Sequence, residues 1–201
     1  MNFIKALLIV SMFFGLIEAK EIKYRMDIVS YHYNSIWKRQ FNSDMFITYV
    51  DDKNEFNFYF PDAMGQEGFT LSRTQADLFI KAIDKYKKWN IKASKKKVEL
   101  EKTIQDINNV DIFWTLGDDW NFGVARYMNI SFLSQSTQHH QLCLSFPKAY
   151  NKYEDYGSHK LETIYFNYKE AVKLREALTT KAIKSFLVKA KKKAKIEAEF
   201  N

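Results

Sequence analysis

Histidine is the side chain best suited to acid–base and metal chemistry near neutral pH. The chain has four of them: His32, His139, His140 and His159. His139 and His140 are adjacent near the start of a predicted strand, where neighbouring side chains point to opposite faces. That spacing is unsuited to two ligands on one metal ion, and the sequence has no HExxH motif. The histidines therefore predict no metal site.

The other reactive side chains also lack a catalytic pattern. The acidic pairs Asp51–Asp52 and Asp118–Asp119 stand among turn residues, where an aspartate side chain bonds nearby backbone groups. The single cysteine, Cys143, lies in the alternating run QLCLSF, which favours a small buried hydrophobe over a reactive thiol. The sequence has neither a GxSxG motif nor a glycine-rich phosphate loop. We therefore predict no catalytic residue and no cofactor, and favour a protein that is not an enzyme.

Lysine is the stronger signal, because the formal net charge is +7 and the excess is concentrated in two segments. Residues 81–97 hold eight lysines and one acid, and residues 181–195 hold seven lysines and no acid. The densest runs are the candidate binding residues Lys95, Lys96, Lys97, Lys191, Lys192 and Lys193. Such runs attract anionic partners, namely a membrane surface, an anionic polymer or a nucleic acid. The alternative is a solvated helix face that binds nothing.

A polar insert, AYNKYEDYGSHK at residues 149–160, supplies the second group of candidate binding residues. They are Tyr150, Tyr153, Tyr156 and His159. Extra loop length costs little free energy, and loops on a rigid scaffold often carry binding groups. The alternative is that the tyrosines cover a sheet edge.

The N-terminus has the layout of a signal peptide. An apolar run, ALLIVSMFFGLI at residues 6–17, follows Lys5 and precedes Glu18. This run is shorter than the roughly 20 residues that a membrane-spanning helix needs. We predict an exported protein, periplasmic or secreted, with cleavage near Ala19. The alternative is a retained membrane anchor.

Three pairs of similar segments occur in the same order along the chain, which indicates an internal duplication. The pairs are MDIVSY (26–31) with VDIFWT (110–115), FNFYFPDA (56–63) with LCLSFPKA (142–149), and FTLSRTQADLFIKAI (69–83) with IYFNYKEAVKLREAL (164–178). In the last pair, Ser72 and Asn167 are predicted N-caps, each three residues before Gln75 or Glu170. The two prolines, Pro61 and Pro147, are expected at equivalent strand ends.

The predicted fold is therefore α+β, built from an internally duplicated unit of about four antiparallel strands followed by a long helix. The two copies are expected to pack as an intramolecular pseudo-dimer. In the first copy, the turn DDKN (51–54) joins two strands, Phe56, Phe58 and Phe60 share one face, and a helix runs from Arg73 to about Ile107. The predicted boundaries are 1–19 for the signal peptide, 20–109 for copy one and 110–201 for copy two.

This order of elements resembles that of the duplicated strand-rich modules of PUR-type and whirly-type single-strand nucleic-acid binders. The resemblance implies a nucleic-acid binder only if the N-terminal segment is not a signal peptide. The sequence favours an exported, non-enzymatic binding or structural protein and does not identify its ligand. An anionic partner bound by the lysine-rich helix faces is a hypothesis beside the solvated-face alternative. An exported enzyme without a visible motif is the other alternative.

Overall fold

A computed structural model describes residues 26–34, 39–62, 65–136, 139–152 and 157–199. Within these ranges the chain forms one sheet of ten strands, together with three helices. The strands are β1 (Met26–Asn34), β2 (Arg39–Val50), β3 (Glu55–Asp62), β4 (Gly65–Ser72), β5 (Leu100–Leu116), β6 (Asp119–Ser134), β7 (His140–Ser145), β8 (Ala149–Asn151), β9 (Ser158–His159) and β10 (Ile164–Phe166). The helices are α1 (Arg73–Lys96), α2 (Tyr168–Ala177) and α3 (Thr180–Ala198).

Eight of the strands close into an antiparallel barrel in the order β5-β4-β3-β2-β1-β10-β7-β6, with β6 pairing back onto β5. The inner face carries the large apolar side chains, so Phe56, Phe58 and Phe60 alternate with more exposed residues along β3 and are themselves 0% exposed. Helix α1 contacts β3 to β7, and α2 contacts β1, β7 and β10. The helices therefore cover apolar surface that the barrel would otherwise expose.

The predicted turn at residues 51–54 and both predicted helix N-caps are confirmed. Residues 51–54 form the turn between β2 and β3, whose register includes Tyr49 opposite Phe56. Ser72 accepts a hydrogen bond from the backbone of Gln75, whose side chain in turn accepts from the Ser72 backbone N–H, so α1 begins with a capping box. The equivalent cap of α2, in which Asn167 accepts from Glu170, is also present.

Helix α1 contacts both the barrel and helix α2. Its Phe79 packs edge-on against Phe58 of β3. Arg175 of α2 donates to both carboxylate oxygens of Asp84 in α1, at 2.7 and 3.2 Å. This hydrogen bond from Arg175 lowers the pKa of Asp84 below its usual value.

The prediction of a duplicated α+β fold is wrong. The strands of the two predicted copies pair with each other, β4 with β5 and β1 with β10, so they form one closed barrel instead of two packed units. The prolines are not equivalent either, because Pro61 pairs with Gln66 inside β3 whereas Pro147 lies after the end of β7. The similar segments reflect a shared local order of strand and capped helix. That order does not determine which strands become neighbours.

The predicted helix from Arg73 to about Ile107 also ends earlier than expected. Helix α1 stops at Lys96, where Lys97 adopts a left-handed conformation with φ 54° and donates its N–H to the Ala93 carbonyl. Strand β5 then begins at Leu100. The boundary predicted between residues 109 and 110 falls inside this strand.

The insert forms the two short strands outside the barrel. Strand β8 pairs with β6 at Gly123 and Val124, beyond the residues of β6 that pair with β7. A side chain at Gly123 would lie 2.7 Å from the Tyr150 carbonyl oxygen, so glycine permits this close approach. The predicted signal peptide, residues 1–19, lies outside the described residues.

Candidate functional site

A groove of about 310 Å³ lies between the C-terminal end of α1 and the start of β5. We call it the lysine groove. It is lined by Trp89, Lys92, Ala93, Lys96, Val98, Leu100, Lys102 and Phe132. The aromatic and aliphatic members form an apolar surface, and three lysines surround it. The volume lies at the lower end of the range for small-molecule sites.

Trp89 organises the charges of this groove. The Lys85 ammonium lies 4.9 Å from the centroid of the Trp89 ring, and the Lys102 ammonium lies 5.4 Å from the same centroid. Both distances are within the range of cation–π attraction, which fixes the two side chains against the indole. Lys85 also donates to the Ile104 carbonyl oxygen at 3.3 Å. Two ammonium groups are thereby held near one apolar surface.

The lysines at the groove form no ion pair within the described part of the chain. Neither Lys85 nor Lys102 takes part in an ion pair there, and the same holds for Lys92 and Lys96. The described lining contains no acidic side chain. Like charges around a partly dry surface repel one another, so an anion bound among them would lower the electrostatic free energy.

A second cavity, of about 480 Å³, lies beside a serine–histidine network on the neighbouring face of α1. The Nε2 atom of His140 lies 3.1 Å from Ser94 Oγ, and its Nδ1 atom lies 2.9 Å from Ser134 Oγ. His140 is 6% exposed, and its burial lowers the pKa of the imidazole below 6.5. The Tyr86 hydroxyl donates to the His140 carbonyl oxygen at 3.0 Å, which fixes the start of β7 against α1.

A third concavity, of about 400 Å³, lies on the outer face of β3 to β6. Its aromatic members pack on each other, with Tyr59 5.0 Å and Trp120 5.7 Å from the Phe113 ring, centroid to centroid. Lys152 and Asp111 form an ion pair of 2.6 Å at its edge. This surface is polar and aromatic, and two of its charged side chains, Asp111 and Lys152, are paired with each other.

His159, a predicted binding residue, is used inside the structure. Its Nε2 atom lies 2.7 Å from Glu67 Oε2, and its ring stacks on Trp114 at 4.9 Å between centroids. Glu67 is 3% exposed, so His159 supplies a hydrogen-bond donor to a buried carboxylate. The insert is thus attached to the barrel wall through this residue.

The other predicted binding residues are dispersed. Tyr150 is 72% exposed on β8, whereas Tyr153 and Tyr156 lie outside the described residues. Lys96 lines the lysine groove, Lys95 is exposed in the last turn of α1, and Lys97 ends that helix. Lys191, Lys192 and Lys193 are exposed on α3. The structure therefore places one of the ten predicted side chains in a groove whose lining suits an anion.

Metal and thiol chemistry find no assembled site in the described ranges. No group of three or more His, Cys, Asp or Glu side chains within them could hold a metal ion. Cys143 is buried in β7, as predicted, and burial raises the pKa of its thiol to about 11. The Cys143 side chain is therefore protonated and weakly reactive at neutral pH.

Sequence reasoning missed the residues that complete the groove and the network. Trp89 and Lys102 belong to different elements, and Ser94 and His140 are 46 residues apart. The only local signal was the lysine run that includes Lys96. The other partners are brought together by the pairing of β5, β6 and β7.

Comparison with protein families, with curated proteins and with solved structures finds no match for this chain. None of the helices in the described ranges has the length and apolarity needed to cross a bilayer.

Proposed function

We propose that this protein is an exported binding protein for a small anion with an apolar body, and that the lysine groove is its site. The single observation that carries the proposal is the arrangement at Trp89, where Lys85 and Lys102 are held against one indole ring beside Lys92 and Lys96. The apolar body of the ligand would lie on Trp89 and Leu100. Its acidic group would lie among the ammonium groups.

Charge complementarity favours an anion over a neutral ligand at this groove. An apolar ligand alone would bury the floor of the groove and leave the repulsion among the lysines unchanged. A simple inorganic anion would gain only exposed ion pairs, each contributing about 1 kcal/mol or less. A carboxylate carrying a short alkyl chain gains both terms. Export is inferred from the predicted signal peptide, and anion binding is inferred from the groove. The binding test below addresses anion binding alone.

The test compares octanoate with octanol by isothermal titration calorimetry, because the two probes have the same chain length and differ in their head group. We expect octanoate to bind more tightly than octanol, and its affinity to fall as salt is raised. Lys102→Met keeps the aliphatic stem and removes one charge, which should weaken octanoate binding by about fivefold. Lys88→Met is the control, since Lys88 is exposed on α1, the helix that borders the groove, and does not line the groove itself.

Any of the following outcomes would contradict this assignment. Equal affinities for octanoate and octanol would show that the groove does not select charge. Equal effects of Lys102→Met and Lys88→Met would show that binding is a diffuse property of the basic helix. Binding to vesicles of anionic phospholipid without binding to octanoate would identify a membrane surface as the partner instead. Binding to an anionic polymer without binding to octanoate would likewise identify the polymer as the partner.

A further inference from the structure

The protonation pattern of the Ser94–His140–Ser134 network follows from its acceptors. Ser134 Oγ lies 2.6 Å from the Val98 carbonyl oxygen and 3.3 Å from the Ser136 carbonyl oxygen. A carbonyl oxygen only accepts hydrogen bonds, so the single Ser134 hydroxyl hydrogen points to one of these two. Ser134 therefore presents a lone pair to His140, and the Nδ1 atom of His140 must carry the proton.

The tautomer leaves the other ring nitrogen free to act as a base. A neutral imidazole carries one N–H, so Nε2 of His140 is an acceptor when Nδ1 is protonated. Nε2 lies 3.1 Å from Ser94 Oγ, and a hydrogen bond between them requires Ser94 to donate. The Ser94 hydroxyl also donates to the Asn90 carbonyl oxygen at 2.9 Å, so it reaches Nε2 only when it turns away from that carbonyl. With the hydroxyl turned to Nε2, Ser94, His140 and Ser134 stand in the order nucleophile, base and orienting group.

Access and rigidity complete the geometry. Ser94 is exposed and borders the cavity of about 480 Å³, whereas His140 is packed against Phe132 with ring centroids 5.7 Å apart. The nucleophile is therefore reachable while its base is held in place. Asn90 and Lys169 line the same cavity and carry N–H donors. Such donors could stabilise a negative oxygen that develops beside Ser94.

We propose that Ser94 is a nucleophile activated by His140, and that the protein accepts acyl groups from small carboxylic esters at this position. Ser94 Oγ bonds to the ester carbonyl carbon while its proton moves to Nε2 of His140. The bond from that carbon to the alcohol oxygen then breaks, and the alcohol leaves with the proton from Nε2. Water attacks the acyl-Ser94 ester in the same way, which releases the carboxylic acid and restores the Ser94 hydroxyl. This activity does not depend on ligand binding at the lysine groove.

The test exposes the full chain to p-nitrophenyl acetate and measures nitrophenolate release together with the position of the acetyl group by peptide mass spectrometry. We expect acetylation of Ser94 in the wild-type protein and its loss in Ser94→Ala. Ser185→Ala is the matched control, because Ser185 is also an exposed helical serine, on α3, and its substitution should change nothing. His140→Gln should lower the acylation rate by about 100-fold, the usual contribution of a general base.

A pH profile separates base catalysis from a structural role. The rate should rise with pH as His140 loses its proton and become constant near neutrality, because burial places the imidazole pKa below 6.5. His139, Tyr168 and Lys169 are the other charged or titratable groups that line the cavity. The charge of His139 is a smaller cause of the lowered His140 pKa than burial, so His139→Gln should move this rise only slightly. Acetylation confined to lysines, or acetylation of Ser94 no faster than that of Ser185, would overturn the proposal. Both of these acetylation results are measured on the wild-type protein, so neither depends on the folding of a variant.

Discussion

Glu67 and His159 form the most buried pair of oppositely ionisable side chains in the described barrel wall. The side chain of Glu67 is 4% exposed and that of His159 is 23% exposed, with 2.7 Å between Oε2 and Nε2. Among the described contacts, His159 is the one hydrogen-bond partner recorded for the Glu67 carboxylate. A buried carboxylate without a partner destabilises the folded state. His159 of β9 therefore stabilises the part of β4 that contains Glu67.

Removal of the histidine should therefore destabilise the fold through Glu67. We expect His159→Ala to lower the free energy of unfolding by about 2–3 kcal/mol, because it leaves the carboxylate unpaired and removes the stacking on Trp114. Urea denaturation of both proteins measures this difference. In a Glu67→Gln background the same substitution should cost at least about 1 kcal/mol less. An equal cost in both backgrounds would mean that the two side chains do not interact energetically.

Strand β5 shows why a correct apolar pattern led to a wrong element. The apolar pattern that led to the helix prediction consists of Leu100, Ile104 and Ile107; Ile104 and Ile107 are buried, whereas Leu100 is exposed. Val110, three residues beyond Ile107, is buried as well, so the spacing of three residues continues past the predicted helix. In the structure a β-bulge between Thr103 and Gln105, followed by Asn109 at φ 53°, shifts the alternation so that the three buried side chains share the inner face. The spacing of apolar residues in a strand with such a bulge is the same as in a helix, so the local sequence does not distinguish the two. The hairpin and both helix caps were predictable because they depend only on neighbouring residues.

The kink at Asn109 gives a test at the level of this element. Asparagine tolerates the left-handed conformation, and the Gln75 side chain donates to the carbonyl oxygens of Asn108 and Asn109 at 3.0 and 3.1 Å. We expect Asn109→Val to lower the free energy of unfolding by about 1–2 kcal/mol, since a β-branched residue is strained at positive φ. Asn109→Gly is the control and should be close to neutral. Thermal and urea unfolding of the three proteins check the order; if the valine and glycine variants are equally stable, the kink is not under strain.

The candidate sites lie at junctions between elements, which explains how little of them the sequence revealed. Lys96 was predicted as a binding residue from its run of lysines. The groove also contains Trp89, about two turns earlier in α1, and Lys102 from β5. Ser94 and His140 meet only because β7 pairs with β6 beside the end of α1. Residue type and local spacing identify charged faces. They do not identify which faces meet.

At the scale of the whole molecule, the barrel differs from the predicted duplication in two strand pairings. β4 pairs with β5 and β1 pairs with β10, which joins the two halves into one ring. The hairpin in the first half and the two helix caps are the same in both architectures, so these local features could not separate them. The β1–β10 pairing is also short: β1 and β10 are in register at Tyr31–Tyr165 and His32–Ile164, whereas β5 and β6 pair from Leu100–Ser134 to Leu116–Asp119.

The short β1–β10 junction is supported by α2. The backbone N–H of Val29 donates to the Glu170 carboxylate at 3.3 Å, and the Asn167 side chain donates to the Tyr31 hydroxyl at 2.9 Å. Glu170 is 5% exposed and is itself paired with Lys173. The junction is therefore held by a helix as well as by strand pairing, and both supports lie at one end of α2.

We expect this junction to be the least stable part of the ring, so that it opens without unfolding of the remaining barrel. Few hydrogen bonds break when β10 separates from β1, whereas opening of β5 from β6 disrupts most of the longest hairpin. In native-state hydrogen exchange, the amides that bond across the β1–β10 junction should exchange with a weak dependence on urea, because a local opening exposes little surface, whereas β10 keeps its pairing with β7. Amides in the middle of β5 and β6 should exchange with the full dependence of global unfolding. Glu170→Gln should speed exchange at β1 and β10 more than at β5, since it weakens the contact with Val29. If all these amides show the same urea dependence and respond equally to Glu170→Gln, the barrel opens as a single cooperative unit and the junction has no separate stability.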